Sequence, residues 1–238
     1  MHWHRIAAIL GSVACLSGAA AADWGYAQPG QPRSDINSVF LDPEFDAWVA
    51  RFERHGREVY DRRHDIVAAT GVKAGMVVAD IGAGTGLFTR LFATRVGASG
   101  KVYAVDISAP FVHNITRISR AQGQTNVTGV VNSQTGAGLA PQSLDLAFIC
   151  DTYHHFEYPA AMMQSIRAAL KPGGSVVVVD FRRIPGFSSS WVMGHVRADE
   201  AAVIGEIEAS GFRLVERRDF LRTNYFLRFV PVEGGSVR

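Results

Sequence analysis

The chain has 238 residues, 47% hydrophobic, 19% charged and 10% aromatic. That size suits one α/β domain or at most two small ones, and the composition excludes a disordered, collagen-like or disulfide-dense chain. Lys+Arg 24 against Asp+Glu 22 leaves a net charge of +2, too balanced for an electrostatic nucleic-acid binder.

In chain order, residues 1–22 form the first distinct segment. Arg5 supplies a positive start, Ile6 to Leu16 an apolar stretch, and Ala20-Ala21-Ala22 before Asp23 an A-x-A cleavage site. These are the marks of a signal peptide, so the expected location is exported, periplasmic or secreted; it is cytoplasmic if the start is mis-assigned. The alternative is an uncleaved membrane anchor, for which Ile6 to Ala22 is only just long enough. The two cysteines, Cys15 and Cys150, have no ligand-like spacing. With the leader removed, Cys150 has no internal partner and should be buried. Residues 23–37, rich in Gly, Gln and Pro, are expected to be a linker.

Residues 38–71 are expected to be a helical cap. Asp42-Pro43 suits a helix start, and Phe45, Trp48, Val49 and Phe52 form one apolar stripe. Val59 to Thr70 predicts a second helix stopped by Gly71. From residue 72 to 238 strands and helices alternate. The strands are Met76 to Ile81, Val102 to Val105, Val127 to Val131, Leu144 to Ile149 and Val176 to Val179. The helices are Leu87 to Val96, Ala109 to Gln122, Ala160 to Leu170 and Arg197 to Ser210. Phe212 to Val215 and Tyr225 to Val230 close the chain, near enough to pair as a hairpin. The pattern predicts an α/β, doubly wound, Rossmann-like sheet, mostly parallel with an antiparallel edge.

Directly after the first strand stands Asp80-Ile81-Gly82-Ala83-Gly84-Thr85-Gly86. Glycines there let a ligand approach the backbone, and the following helix start offers amide donors. The spacing is G-x-G-x-G. A dinucleotide fingerprint wants its third glycine one residue later, where Leu87 stands, so NAD is disfavoured. Asp106 ends the second strand, where a carboxylate can accept from two ribose hydroxyls.

Val78 to Gly86 resembles motif I of the class I S-adenosylmethionine-dependent methyltransferases, and Val102 to Asp106 resembles their second motif. Leu144 to Ile149, Leu170-Lys171-Pro172-Gly173-Gly174 with Val176 to Asp180, and Ser210-Gly211-Phe212 extend the likeness over Val59 to Phe229. The resemblance implies a seven-stranded sheet with an antiparallel last strand. It implies S-adenosylmethionine as cofactor, with Gly82, Gly84 and Gly86 at its methionine part, Asp80 near the amino group, Asp106 on the ribose and Ile107 against the adenine. Where the family often has an acid for the adenine amino group, this chain has Asn132-Ser133-Gln134, whose amide oxygen can substitute.

Methyl transfer asks the protein mainly to align the nucleophile and exclude water, sometimes with a base. The segment after the fourth strand, Cys150 to Glu157, offers His154 and His155 as proton acceptors and Asp151 to orient one of them. Adjacent histidines also raise a metal, but no distant ligand or H-E-x-x-H pattern supports one, so none is expected. The helix around Phe52, Arg57 and Tyr60 and the long loop Arg182 to His195 are expected to shape the acceptor cavity.

The leading expectation is methylation of a small molecule or lipid; His-His-Phe resembles the quinone-biosynthesis branch. Alternatives are carboxyl methylation of isoaspartyl residues, a non-catalytic cofactor-binding envelope module and a nicotinamide-dependent reductase. The isoaspartyl reading lacks the serine- or threonine-rich segment ahead of motif I. Nucleic acid is not an expected partner, since Asn/Asp-Pro-Pro-Tyr is missing after the fourth strand. Membrane contact is expected only through an uncleaved N-terminal segment.

Overall fold

The computed structural model describes residues 36–232. The signal peptide and nearly all of the expected linker lie outside that range. No helix among the described residues is long and apolar enough to cross a membrane.

Four short helices lead the chain: α1 Ser38–Leu41, α2 Phe45–Phe52, α3 Glu58–Asp61 and α4 Arg63–Ala69. Seven strands follow: β1 Val77–Ile81, β2 Lys101–Asp106, β3 Val127–Val131, β4 Leu144–Cys150, β5 Leu170–Phe181, β6 Phe212–Arg218 and β7 Asn224–Pro231. Between them run α5 Leu87–Val96, α6 Ala109–Ala121, α7 Pro159–Ala169, α8 Ser190–His195 and α9 Glu200–Ala209. The sheet order is β3-β2-β1-β4-β5-β7-β6. β7 runs antiparallel to both β5 and β6, and the other pairs are parallel.

The central strands are apolar throughout because helices cover both faces. On one face Phe148 of β4 meets Phe88 and Phe92 of α5, with ring centroids 4.9 and 5.0 Å away. On the other, Ala79, Ile149 and Val178 pack with Met163 and Ile166 of α7 and Ile207 of α9. The chain order reverses between β1 and β4. A crevice therefore opens beyond their carboxyl ends, the usual ligand position in such sheets.

Three departures from the sequence reading have local causes, and one arginine adds a tie. The expected helix from Val59 to Thr70 is split at Arg62 (φ −100°, ψ 14°) into α3 and α4. Before the break, the Glu58 carboxylate accepts from the backbone N–H groups of Arg222, Thr223 and Asn224 and the Thr223 hydroxyl, tying the cap to the β6–β7 loop. β5 starts at Leu170, not Val176, because Leu170 pairs with Leu144 before the chain bulges through Lys171 to Gly174 and rejoins at Ser175. Arg228 of β7 ties the sheet to the cap. It donates to the Ala69 and Thr70 carbonyls at 3.0 and 3.1 Å, satisfying the carboxyl end of α4. The last residue of the expected linker, Asn37, is an anchor: its Nδ2 donates to the His155 carbonyl and to Glu157 Oε1, both at 3.0 Å.

Candidate active site

The loop after β1 owes its shape to glycines placed where side chains cannot go. Gly82 (φ +72°) and Gly86 (φ +80°) are left-handed. A Cβ on Gly82 would overlap the Thr152 side chain, and one on Gly86 would lie 2.9 Å from Ile115 Cγ1. Gly82 N and Ala83 N donate to the Val105 carbonyl at 2.8 and 3.0 Å, which fastens the loop to β2. Gly86 precedes α5 and its Cβ position is packed on α6. Of the three glycines, Gly82 and Gly84 line the cavity, and Gly86 stands at the start of α5.

Two buried carboxylates face each other across this loop. Asp106 ends β2; its Oδ2 accepts from Gly84 N at 2.8 Å and its Oδ1 from Ser108 N at 2.9 Å. Burial pushes its carboxyl up to about 6, against the pull of those amides. Asp80, near the end of β1, accepts from the Thr89 hydroxyl at 2.6 Å. Burial first, then the neighbouring Asp106 charge, outweigh that hydrogen bond and push Asp80 up to about 7. Ile107 and Phe111 add an apolar wall beside Asp106. At the end of β3 the Asn132 side-chain oxygen is buried and has no hydrogen-bond partner among the described residues. It lines the same cavity.

These features fit S-adenosylmethionine. Asp106 retains lone pairs for two ribose hydroxyls. Ile107 and Phe111 supply an apolar surface for adenine. The Asn132 oxygen needs a donor such as the adenine amino group. Asp80 provides negative charge toward the amino group and sulfonium end.

Beyond β4 the chain enters Asp151 with a left-handed φ of +46°, then a 3₁₀ turn, Tyr153–His155. Asp151 does not orient a histidine. Its carboxylate is held by Arg57 Nη2 at 2.7 Å and Asn224 Nδ2 at 2.6 Å, linking cap, sheet centre and β7. Burial raises its carboxyl above the ordinary range while Arg57 pulls it down. The carboxylate that holds His154 is Asp180, on β5, with Oδ1 2.7 Å from Nδ1. Both side chains are buried. Asp180 in turn accepts from the backbone N–H of His154 at 3.1 Å and of Phe181 at 2.8 Å. Tyr153 is buried and donates to Glu206 at 3.0 Å; it does not line the cavity.

His155 and His154 line the cavity with a residue the sequence reading did not single out, His195 at the end of α8. His155 Nε2 and His195 Nε2 are 3.3 Å apart. Trp191 stacks on His195 with a centroid distance of 4.5 Å, and Phe40 of α1 meets His155 edge-on at 5.3 Å. The loop Arg182 to His195 does border the cavity, as expected, but folds its last six residues into α8, capped by the Ser189 hydroxyl. The opposite wall is Trp48 and Phe52 of α2, with Phe52 3.6 Å from where a Gly84 Cβ would sit. The Arg90–Glu53 pair, at 2.9 and 2.8 Å, fastens this wall to α5.

Asp180 had a recognisable signal: it closes an all-valine strand as Asp106 closes β2. His195 had none, being 40 residues from its partner.

Cradle and aromatic chamber form one cavity of about 1060 Å³. Pockets for a single drug-sized ligand run from about 300 to 1,000 Å³, so this one has room for a cofactor and a small second molecule together.

Comparison with known proteins points the same way. Residues 78–174 match the family model described as a methyltransferase domain. The ubiquinone/menaquinone biosynthesis C-methyltransferase UbiE of Hydrogenovibrio crunogenus is 29% identical over 124 residues, 52% of this chain and 48% of that protein. A ubiquinone biosynthesis O-methyltransferase of Xanthomonas campestris pv. campestris is 31% identical over 133 residues, 56% of this chain and 54% of that one. The chain thus spans about half the length of these curated relatives. A solved S-adenosylmethionine-dependent methyltransferase from Aquifex aeolicus superposes with a TM-score of 0.70 at 21% identity, over 78% of this chain and 98% of that one. Residues 78–174 thus match a methyltransferase domain, and in its strand order, glycine cradle and paired carboxylates the chain is similar to the class I S-adenosylmethionine-dependent methyltransferases.

Proposed function

We propose that this chain methylates a small, largely apolar acceptor, a small molecule or the head of a lipid, held between the α1–α2 cap and α8. The observation that carries the reading is the joining of the glycine cradle and an aromatic, histidine-lined chamber in a single cavity.

S-adenosylmethionine, when bound, supplies a methyl carbon activated by a positive sulfur. Asp106, Asp80 and Asn132 hold the cofactor and fix which way its sulfur faces. Phe40, Trp48, Phe181 and Trp191 exclude water and hold the acceptor's apolar body. His154 and His155 form the polar end of the chamber, where a nucleophilic atom can be positioned and its proton accepted. Asp180, rather than Asp151, orients His154. Alignment of this kind is worth about 7–11 kcal/mol in well-oriented systems, so the chamber need supply little further chemistry.

The relatives include both a C- and an O-methyltransferase, so resemblance alone does not choose the acceptor atom. A chamber lined by Phe40, Trp48, Phe181 and Trp191 favours a largely apolar small acceptor over the carboxylate of an isoaspartyl residue. The test is incubation of the purified chain with methyl-labelled cofactor and an extract. Label in the small-molecule or lipid fraction supports the proposal. Label in protein favours the isoaspartyl alternative, and label nowhere favours a non-catalytic binding module.

A further inference from the structure

The three imidazoles of the chamber are arranged as a metal site. His154 and His155 come from the turn after β4, and His195 comes from α8. One ring nitrogen of each lies within 4.8 Å of the other two. A tetrahedral zinc ion with Zn–N bonds of about 2.0–2.1 Å sets its ligand nitrogens about 3.3 Å apart. The His155 and His195 Nε2 atoms already stand 3.3 Å apart. The offered nitrogen of His154 lies within 4.8 Å of both.

The surroundings also match what a metal-bound imidazole requires. Asp180 is an acceptor-only carboxylate, so His154 Nδ1 carries the proton toward it and Nε2 is the nitrogen that His154 has to offer. Such a carboxylate–histidine pair fixes the ring and raises its basicity as a ligand. Stacking on Trp191 and edge contact with Phe40 set the planes of His195 and His155. All three histidines border the cavity, so an ion held by them would keep a position open toward the acceptor. Three protein ligands with one open position is the arrangement of catalytic rather than structural zinc sites.

We propose that His154, His155 and His195 bind one divalent cation of the zinc class, positioned by Asp180, with its open position facing the acceptor chamber. Imidazole ligands suit zinc, copper, iron and nickel, and not magnesium or calcium. If the methyl-transfer reading holds, and this clause alone rests on it, the ion replaces the free imidazoles as the group that holds the acceptor's nucleophilic atom, and it selects acceptors that present an oxygen or sulfur donor beside an apolar body.

The test uses the tag-free full chain, stripped with a chelator and titrated with Co²⁺, whose visible absorption reports coordination number, followed by Zn²⁺ competition. The expected result is one Co²⁺ per chain with the intense absorption of a four- or five-coordinate ion, displaced by Zn²⁺. His195→Ala should weaken binding at least ~100-fold. Asp180→Asn should weaken it ~10–100-fold, the usual effect of losing such a partner. His64→Ala, an exposed site on α4, should change nothing. His155→Ala serves as the second ligand variant if His195→Ala fails to melt cooperatively. Wild-type protein that takes up no Co²⁺, or ligand variants that bind it as well as wild type, would overturn the proposal. Cofactor calorimetry on the same samples separates the two claims: cofactor bound without metal removes the metal site only, and metal bound without cofactor removes only the methyl-transfer reading.

Discussion

The two ends of the cavity are built by different means. At the end proposed for the cofactor, the candidate binding groups are fixed by short local segments: Asp80 to Gly86, Asp106 to Ser108, and Asn132 at the next strand end. Their geometry follows from strand ends, left-handed glycines and backbone amides. At the acceptor end, each wall comes from a different part of the chain. Asn37 holds the His155 carbonyl across 118 residues, and Arg57 holds Asp151 across 94. A cradle fixed by backbone geometry suits a constant cofactor, and a chamber assembled from separate side chains can vary its acceptor without disturbing it.

The largest expected effect falls on the hinge between the two ends. In Gly82→Ala, the new Cβ would collide with Thr152 at a φ of +72°. Strain from such backbone positions costs roughly 1–3 kcal/mol, and overpacking a further 1–3 kcal/mol. Thermal melting should show a large loss, and cofactor affinity should drop with it. Asp106→Ala comes next. Loss of charge-assisted hydrogen bonds to the ribose should weaken cofactor binding by about 1.5–3 kcal/mol, while acceptor KM, measured at saturating cofactor, stays near wild type.

A pH titration gives a smaller and more graded effect. Asp106 is pushed up to about 6 in the cofactor-free site, and its ionised form is the better acceptor. Cofactor affinity should therefore be full above about pH 6 and fall as pH drops through that value, with a proton released on binding near pH 6. Calorimetry in two buffers of different ionisation enthalpy measures that release; affinity independent of pH from 5 to 8 would place the ribose elsewhere.

The smallest effect belongs to the tie between cap and sheet. Burial alone would raise Glu58, but amides of Arg222, Thr223 and Asn224 and the Thr223 hydroxyl hold it below its ordinary value. A group lowered in this way stabilises above its unfolded value and loses that contribution as pH falls through the lower, folded value. Glu58→Gln should cost less than about 1 kcal/mol at pH 7, given its exposure. Differential melting of the two proteins at pH 7 and at pH 3.5 checks both the size and the sign: the difference should shrink at the lower pH.

The same contrast explains what the sequence made legible. The sheet, its antiparallel last strand and the two carboxylates proposed to face the cofactor follow from runs of valine and isoleucine ending in an acid or a glycine, which a linear reading can see. Spacing does not tell whether a glycine faces a ligand or a neighbouring helix; at Gly86, Ile115 takes the space a side chain would need. Asp151 was assigned to the histidines because it is their neighbour in sequence. The fold gives it to Arg57 and Asn224 instead and brings Asp180 to His154 from the adjacent parallel strand. His195 and Asn37 reach the site only through tertiary packing, and no local pattern marks them.

The division of the cavity is tested most directly by measuring cofactor affinity and methyl-transfer rate together in one acceptor-side variant, His155→Ala. The account predicts a cofactor Kd within about twofold of wild type and a transfer rate lowered ~10²-fold or more, in the range for loss of a positioned proton acceptor. A rate that survives, or a cofactor affinity that falls in step with the rate, would contradict it.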